Sequence, residues 1–367
     1  MKPYQPDSLP LQNLDYQRLL PLVGQANAAL ARYDGLLQGI PNPAVMLSPL
    51  TTREAVLSSK IEGTQATVDE VLEQEAGLLK EGEKYKDIQE ISNYRKALFA
   101  AREYLKDYPI RLSLLRELHR ILMDSVRGQD KTPGQFRKDQ NWIGKYGCTI
   151  EQATFVPPNA LQLPDFLQAW ENYLNGTDIE LLLQTAVVHA QFELLHPFND
   201  GNGRIGRILI PLFIYQKKLL SQPMFYLSEY LESNREDYYQ RLKAISAEGD
   251  WNGWIAFFLE AVAAQAAQNS LRVSSIKALY EEMKNKIHAI THSQYSIHLL
   301  DAIFDRPIFA TTDFITRTGI HKPTAMGLIR QLKAENILKE LQPGKGRRAA
   351  VLCFPALLNI AEGRDIL

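Results

Sequence analysis

The chain of 367 residues is long enough for two or three domains, and 45% hydrophobic with 23% charged residues is ordinary for a soluble globular protein. Forty-one Lys and Arg stand against 42 Asp and Glu, a formal net charge of -1, so no global field draws it to nucleic acid or an anionic membrane. Two distant cysteines, Cys148 and Cys353, exclude a disulfide framework and a cysteine metal site. The N-terminus has no apolar core of a signal peptide, and the apolar run IAFFLEAVAAQAAQ is broken by Glu260, so a cytoplasmic protein without a membrane span is expected.

Proline and glycine punctuate the first 50 residues, and Pro-Asn-Pro at 41–43 closes the opening segment. A helix is expected from Ser48-Pro49 to about Gly63, because Leu50, Leu57 and Ile61 share one face. A more polar helix is expected at 67–81, then helices at 87–105 and at 113–123 with Ser113 as N-cap. Residues 128–160 change to turn chemistry with short β-prone pieces, predicting a hairpin or flap at about 141–158. Helices resume at 164–175, 178–195 and 203–218, and helical patterning runs from Arg235 to about Lys286. The last segment reads as three short helices, the second and third joined through Gly319, followed by strand, turn and strand. That order is a winged-helix pattern, and residues 295–353 hold nine Lys and Arg against five Asp and Glu. No internal repeat or low-complexity tract is present.

The most informative stretch is His196-Pro197-Phe198-Asn199-Asp200-Gly201-Asn202-Gly203-Arg204-Ile205-Gly206-Arg207. The helix before it must end near His196, because the residue preceding a proline is pushed out of the α region. His196 therefore lies at a helix-to-loop junction, a candidate base. Phe198 is expected to pin the loop. Gly201 and Gly203 permit positive φ and let backbone N–H groups converge on an anion at the next helix N-terminus. Arg204 and Arg207 share one face of that helix and suit phosphate oxygens. Asp200 is a hard oxygen ligand suited to magnesium that also touches phosphate. A calcium loop is excluded, because Arg204 takes a ligand position and Pro211 stands where the bidentate Glu belongs. Neither a P-loop nor a kinase motif set occurs. One tension is physical: a helix C-terminus favours protonated imidazole, whereas a base must start neutral.

These twelve residues match the motif HPFx[D/E]GNGRxxR at every specified position, and the chain resembles the Fic-domain family. The resemblance implies a mainly α fold with a Fic helical core, a β-hairpin flap and a small C-terminal winged-helix domain. It implies a protein adenylyltransferase that moves AMP from ATP to a Ser, Thr or Tyr hydroxyl. His196 would be the general base and Asp200 would hold Mg²⁺ or Mn²⁺. Gly201, Asn202, Gly203, Arg204, Ile205, Gly206 and Arg207 would bind the nucleotide. Ser58-Ser59-Lys60-Ile61-Glu62-Gly63 resembles the family's inhibitory motif [S/T]xxxE[G/N], implying that Glu62, with Ser58, pairs with Arg207 and denies ATP its γ-phosphate site. On physical grounds Glu62 is oddly placed at the negative end of its helix, although a solvated glutamate there is common. The hairpin resembles the family's target-docking flap, with Thr154, Phe155 and Val156 as contacts by β-augmentation; an ordinary surface hairpin is the plain alternative. Tyr239 would stack on adenine, or else be a core tyrosine.

The resemblance gives three regions: residues 1–105 with the inhibitory helix at about 49–63, the catalytic core at 106–286, and the winged helix at 290–367. Expected partners are ATP and a target protein, with a homodimer and DNA as further options. For DNA, Lys322, Arg330 and Lys333 on the recognition helix and Lys345, Arg347 and Arg348 in the wing would contact phosphates. Three other readings stay open: a Fic enzyme with another donor, such as a phosphotransferase; a bifunctional enzyme in which Glu62 also positions water to remove AMP; and a DNA-binding regulator with a vestigial Fic domain. His288 and His292, four apart, lack a third ligand and read as a solvated helix face rather than a metal pair.

Overall fold

The computed structural model describes residues 2–78, 84–124, 131–145, 147–346 and 348–365. Two compact units interleave along the chain: Met1–Asp34, Leu57–Gly63 and Ser92–Ala267 form the first, and Gly35–Val56, Thr64–Ile91 and Gln268–Leu367 the second. No helix among the described residues is long and apolar enough to cross a membrane.

The chain begins with α1 (Tyr16–Gln38), which the proline and glycine punctuation concealed. Leu19, Val23, Ala26, Leu30 and Tyr33 recur at helical spacing and are buried. Asp15 Oδ1 accepts from the Arg18 amide at 3.1 Å and caps the start. Pro21 stands in the second turn and supplies no amide to the Gln17 carbonyl, yet the helix continues through it. A single turn, α2 (Pro43–Met46), leads into α3 (Ser48–Ile61), which stops two residues before Gly63, at φ +103°. The polar helix is α4 (Val68–Glu75), shorter than expected and closed by a Thr67–Glu70 capping box; residues 79–81 of the expected span lie outside the described residues.

Next come α5 (Tyr85–Tyr104) and α6 (Leu112–Leu122). Ser113 is not the N-cap of α6: Arg111 holds that position without a side-chain cap, and Glu171 Oε1 accepts the Leu112 amide at 2.7 Å. Then follow α7 (Leu163–Asn175), α8 (Leu181–Leu195) and α9 (Asn202–Gln216). In α8 every residue but Leu181 and Glu193 is buried, as its all-round apolar sequence dictates. Two buried tryptophans donate to its carbonyls, Trp170 Nε1 to Val188 O at 3.0 Å and Trp254 Nε1 to Ala186 O at 2.9 Å. A short helix, α10 (Ser228–Ser233), precedes the helical tract expected from Arg235, which is divided into α11 (Arg235–Glu248) and α12 (Trp251–Thr291). The break between α11 and α12 is Gly249, a left-handed cap at φ +70°.

In the second unit, α13 (Ser296–Asp305), β1 (Ile308–Ala310), α14 (Thr311–Thr318), α15 (Lys322–Ala334), β2 (Lys339–Gln342), β3 (Val351–Cys353) and α16 (Pro355–Glu362) follow in order. The sheet is antiparallel in the order β1-β3-β2, with Phe309 opposite Leu352 and Glu340 opposite Leu352. The sequence pattern missed β1, three buried residues, and α16. Gly319 caps α14 in the left-handed region, as its position between two helices anticipated.

Candidate active site

The signature loop lies between α8 and α9, and its backbone carries the strain. His196 caps α8 with φ +46°, in the left-handed region that a non-glycine residue enters only when its surroundings enforce it. Gly201 at φ +74° caps α9, so its freedom is needed there. Gly203 is helical instead. It matters through what it lacks, because a Cβ would come within 2.2 Å of Glu62 Oε1 and 2.9 Å of Arg207 Nη1. Ile205 makes the first helical bond, to Gly201 O at 3.1 Å, so the amides of the first turn have no partner within the helix.

Four buried groups hold the loop. Asn202 Oδ1 accepts from Phe198 N at 2.8 Å and its Nδ2 donates to Phe198 O at 2.8 Å. Its side chain, 2% exposed, thus braces the loop. Phe198 is fully buried and stacks on His119, ring centroids 3.9 Å apart. His119 Nδ1 accepts the Gly134 amide at 2.8 Å, so Nε2 carries the proton and donates to Asp200 O at 2.9 Å. Burial pushes this imidazole down to about 4. Arg137, only 3% exposed, donates from Nε to His196 O at 3.0 Å and from Nη2 to Leu195 O at 3.4 Å. It thereby occupies the carbonyl end of α8 with a cation, where the dipole favours one.

That placement resolves the tension over His196. Its Nδ1 lies 3.3 Å from Glu193 O, a group that can only accept, so Nδ1 bears the hydrogen and Nε2 keeps its lone pair. Burial first, and the Arg137 charge in addition, push its pKa down to about 4, against the opposing Glu193 carbonyl. The imidazole is neutral at pH 7 and able to accept a proton.

Arg207 is 2% exposed. Its Nε donates to Ser58 Oγ at 2.8 Å, and Nη2 donates to Ser58 O at 2.9 Å and Glu62 Oε1 at 2.7 Å. Burial alone would push Glu62 up, yet the Arg207 guanidinium beside it, helped by Arg204 and His196, holds its carboxyl below the usual range. The Glu62 side chain is 34% exposed, on the wall of a cavity of about 660 Å³. Lys60 ties the same turn to α10 through Glu232 Oε1 at 2.8 Å.

The cavity brings Glu62, His196, Gly203, Arg207 and Tyr239 together with Thr154 and Phe155 of the flap. Adjacent tyrosines divide the two readings of Tyr239. Tyr238 is the core residue, 1% exposed and 3.0 Å from His189 Nε2, whereas Tyr239 is 42% exposed with the Arg235 guanidinium 5.8 Å above its ring. Arg204 is buried, with Nη2 3.9 Å from Asp200 Oδ1. Asp200 Oδ1 also accepts from Gly201 N at 2.6 Å, and its side chain is 46% exposed. Among the described residues no three His, Cys, Asp or Glu come together as a metal cluster. A magnesium ion on Asp200 would therefore need nucleotide phosphates and water as its other ligands, as that ion ordinarily takes them.

The flap is a single antiparallel bridge, Ile143 to Phe155, with a 3-10 turn at Ile150–Gln152. Thr154 Oγ1 donates to Ile143 O at 2.9 Å. Val156 is a correction to the expected docking surface: its side chain is 1% exposed, and its carbonyl already accepts the Tyr4 amide at 2.9 Å. Trp142 and Ile143, on the other strand, are exposed and line the cavity instead. Sequence reasoning also passed over His119, Arg137 and Glu193. Only Glu193 left a signal, as the one acid within a buried apolar helix.

Comparison with known proteins agrees on the family of this fold. A family model described as Fic/DOC family N-terminal matches residues 20–103, and one described as Fic/DOC family matches 109–214. A probable protein adenylyltransferase of Aquifex aeolicus is 28% identical over 192 residues, 52% of this chain and 56% of that protein. The protein adenylyltransferase Fic of Drosophila erecta is 29% identical over 150 residues, 39% of this chain and 26% of that protein. The chain thus spans about half of the one relative and a quarter of the other. A Fic family protein from Desulfovibrio desulfuricans G20 superposes with a TM-score of 0.57 at 21% identity, covering 95% of this chain and 98% of that one. At that identity the likeness is one of fold.

Proposed function

Because the chain belongs to the Fic/DOC family, we propose that it is a protein adenylyltransferase held off by its own Glu62. ATP occupies the cavity with its phosphates toward the first turn of α9 and its adenine toward Tyr239. His196 Nε2 takes the proton of a target Ser, Thr or Tyr hydroxyl. That oxygen attacks the α-phosphorus in line, the bond from the α-phosphorus to its bridging oxygen breaks, and pyrophosphate leaves. The residues at the loop fit a magnesium ion through Asp200, which would neutralise phosphate charge. Arg204 and Arg207 serve the β- and γ-phosphates. The observation that carries the reading is Arg207 itself: one buried guanidinium beside Gly203, its Nε and Nη2 already bound to Ser58 and Glu62. It can serve Glu62 or a triphosphate, not both.

Labelled-ATP incorporation tests this. Strong self-labelling is expected from Glu62→Gly, little from the wild type, and none when His196→Ala is added. Label transferred from the γ-phosphate, or undiminished labelling after His196→Ala, refutes the assignment. The second unit supports a further proposal, a winged helix in which α14 and α15 precede the β2–β3 wing. DNA contact would come from Lys322, Arg330, Lys345 and Arg348. Lys333 is already paired with Glu340, and Arg347 lies outside the described residues. A gel shift with salt titration tests it, with loss of any shift at the lowest salt as the refuting result.

A further inference from the structure

Glu193 occupies the last turn of α8, three residues before His196, on the wall of the same cavity. Its Oε1 is buried and makes no hydrogen bond. The carboxyl packs over Gly206, where a Cβ would come within 2.0 Å of Oε1, so a glycine there is what admits it. The groups that face it are Glu62 just past the end of α3, Arg207 on α9, and Tyr238 and Tyr239 on α11. Burial, opposed by Arg207 and assisted by Glu62, pushes its carboxyl up to about 8, leaving it largely protonated at neutral pH. A carboxyl O–H on that buried oxygen, with no acceptor, is costly unless something completes it. A carboxyl kept neutral by its site is a good donor to an anionic oxygen.

We propose that Glu193 is a nucleotide-binding residue whose carboxylic acid O–H donates to a phosphate oxygen once Glu62 withdraws, and whose carboxylate form repels the same ligand. This rests on the reading that a nucleoside triphosphate occupies the cavity. It also gives the site a pH dependence separate from that of His196, because ionisation of Glu193 sets a negative charge beside the phosphates.

The test is calorimetric titration of the full-length Glu62→Gly protein with ATP and Mg²⁺ from pH 7.5 to 9.5. Affinity should weaken by up to tenfold per pH unit, one proton's worth, with the onset at or below about 8. Adding Glu193→Gln, which keeps a donor and cannot ionise, should abolish that slope, so that the double variant binds at least tenfold more tightly than its parent at pH 9.5. Adding Glu193→Met, which keeps the length without a donor, should weaken binding on the order of tenfold at pH 7.5 and also remove the slope. The same slope in the parent and the Gln variant overturns the proposal, as does a Met variant that matches Gln at pH 7.5. Failure of the Glu62→Gly parent to bind ATP at any pH is a different result and overturns the nucleotide reading itself.

Discussion

Replacing Arg137 by methionine removes a guanidinium that donates to four carbonyls at once, those of His196, Leu195, Asp139 and Pro158, at 3.0, 3.4, 3.3 and 2.5 Å. The side chain is 3% exposed, so water cannot simply take its place. Hydrogen bonds from a charged donor are worth roughly 1.5–3 kcal/mol each, and four on one group do not add. Leaving buried carbonyls unpaired and a helix C-terminus without its cation should cost about 3–5 kcal/mol, a large part of a typical domain's stability of roughly 5–15 kcal/mol. Urea unfolding checks this through a lowered midpoint at constant slope. The second effect is chemical. Arg137 is one of the causes holding His196 at about 4, so without it the acid limb of the labelling pH profile, measured in the Glu62→Gly background, should move to higher pH. Arg137→Lys retains the charge and loses the fork, so it should destabilise while leaving that limb in place. A loss below about 1 kcal/mol for the Met variant, or an acid limb that stays where it was, would refute the role given to Arg137.

Two substitutions on α3 separate a buried contact from an exposed one. Ser58→Ala strips Arg207 Nε of its buried acceptor and should raise wild-type self-labelling on the order of tenfold, less than Glu62→Gly does. Lys60→Ala breaks a half-exposed pair with Glu232, worth at most about 1 kcal/mol, and should change labelling by no more than about fivefold. The Ala variant at Gly206 forces the Glu193 carboxyl out of its place and should weaken ATP binding by Glu62→Gly, measured calorimetrically, with a stability loss of about 1–3 kcal/mol. Stability itself should peak near pH 6.5. His119, His189 and His196 are held down at about 4, 3 and 4, so the unfolded chain takes up protons below pH 6.5 that the folded chain refuses, and stability falls toward pH 4. Glu193, raised to about 8, works the other way: its folded carboxyl keeps a proton that the unfolded chain releases above pH 4.5, so stability declines as pH rises to 8. Each such proton contributes about 1.4 kcal/mol per pH unit, and urea midpoints from pH 4 to 9 would show the maximum or its absence.

Local rules made much of the molecule readable. The end of α8 follows from Pro197, the turn into α9 from Gly201, and the i, i+4 pair of Ser58 and Glu62 from α-helical spacing. Where the reading failed, two local signals competed. Leu19, Val23, Ala26, Leu30 and Tyr33 marked α1, yet Pro21 and Gly24 in the same stretch argued for a break, and burial of the apolar face prevailed. The strand β1 is too short for alternation to register. Asn202 looked like part of a polar cradle, and in the fold its side chain braces Phe198. Val156 looked available and is covered.

Residue type and spacing within a dozen positions thus carried the chemistry: a base, a carboxylate, an anion-binding helix start and two arginines. The state of those groups came from elsewhere in the chain. Locally, His196 at the end of a helix should favour a proton; in the fold, burial and Arg137, 59 positions away, leave it neutral. By sequence Arg207 is expected to bind phosphate, and its partners in the fold, Ser58 and Glu62, lie 149 and 145 positions upstream. Backbone conformation answers to near neighbours, whereas desolvation and Coulomb interaction depend on distance in space. Protonation and pairing are therefore settled only when distant segments pack together.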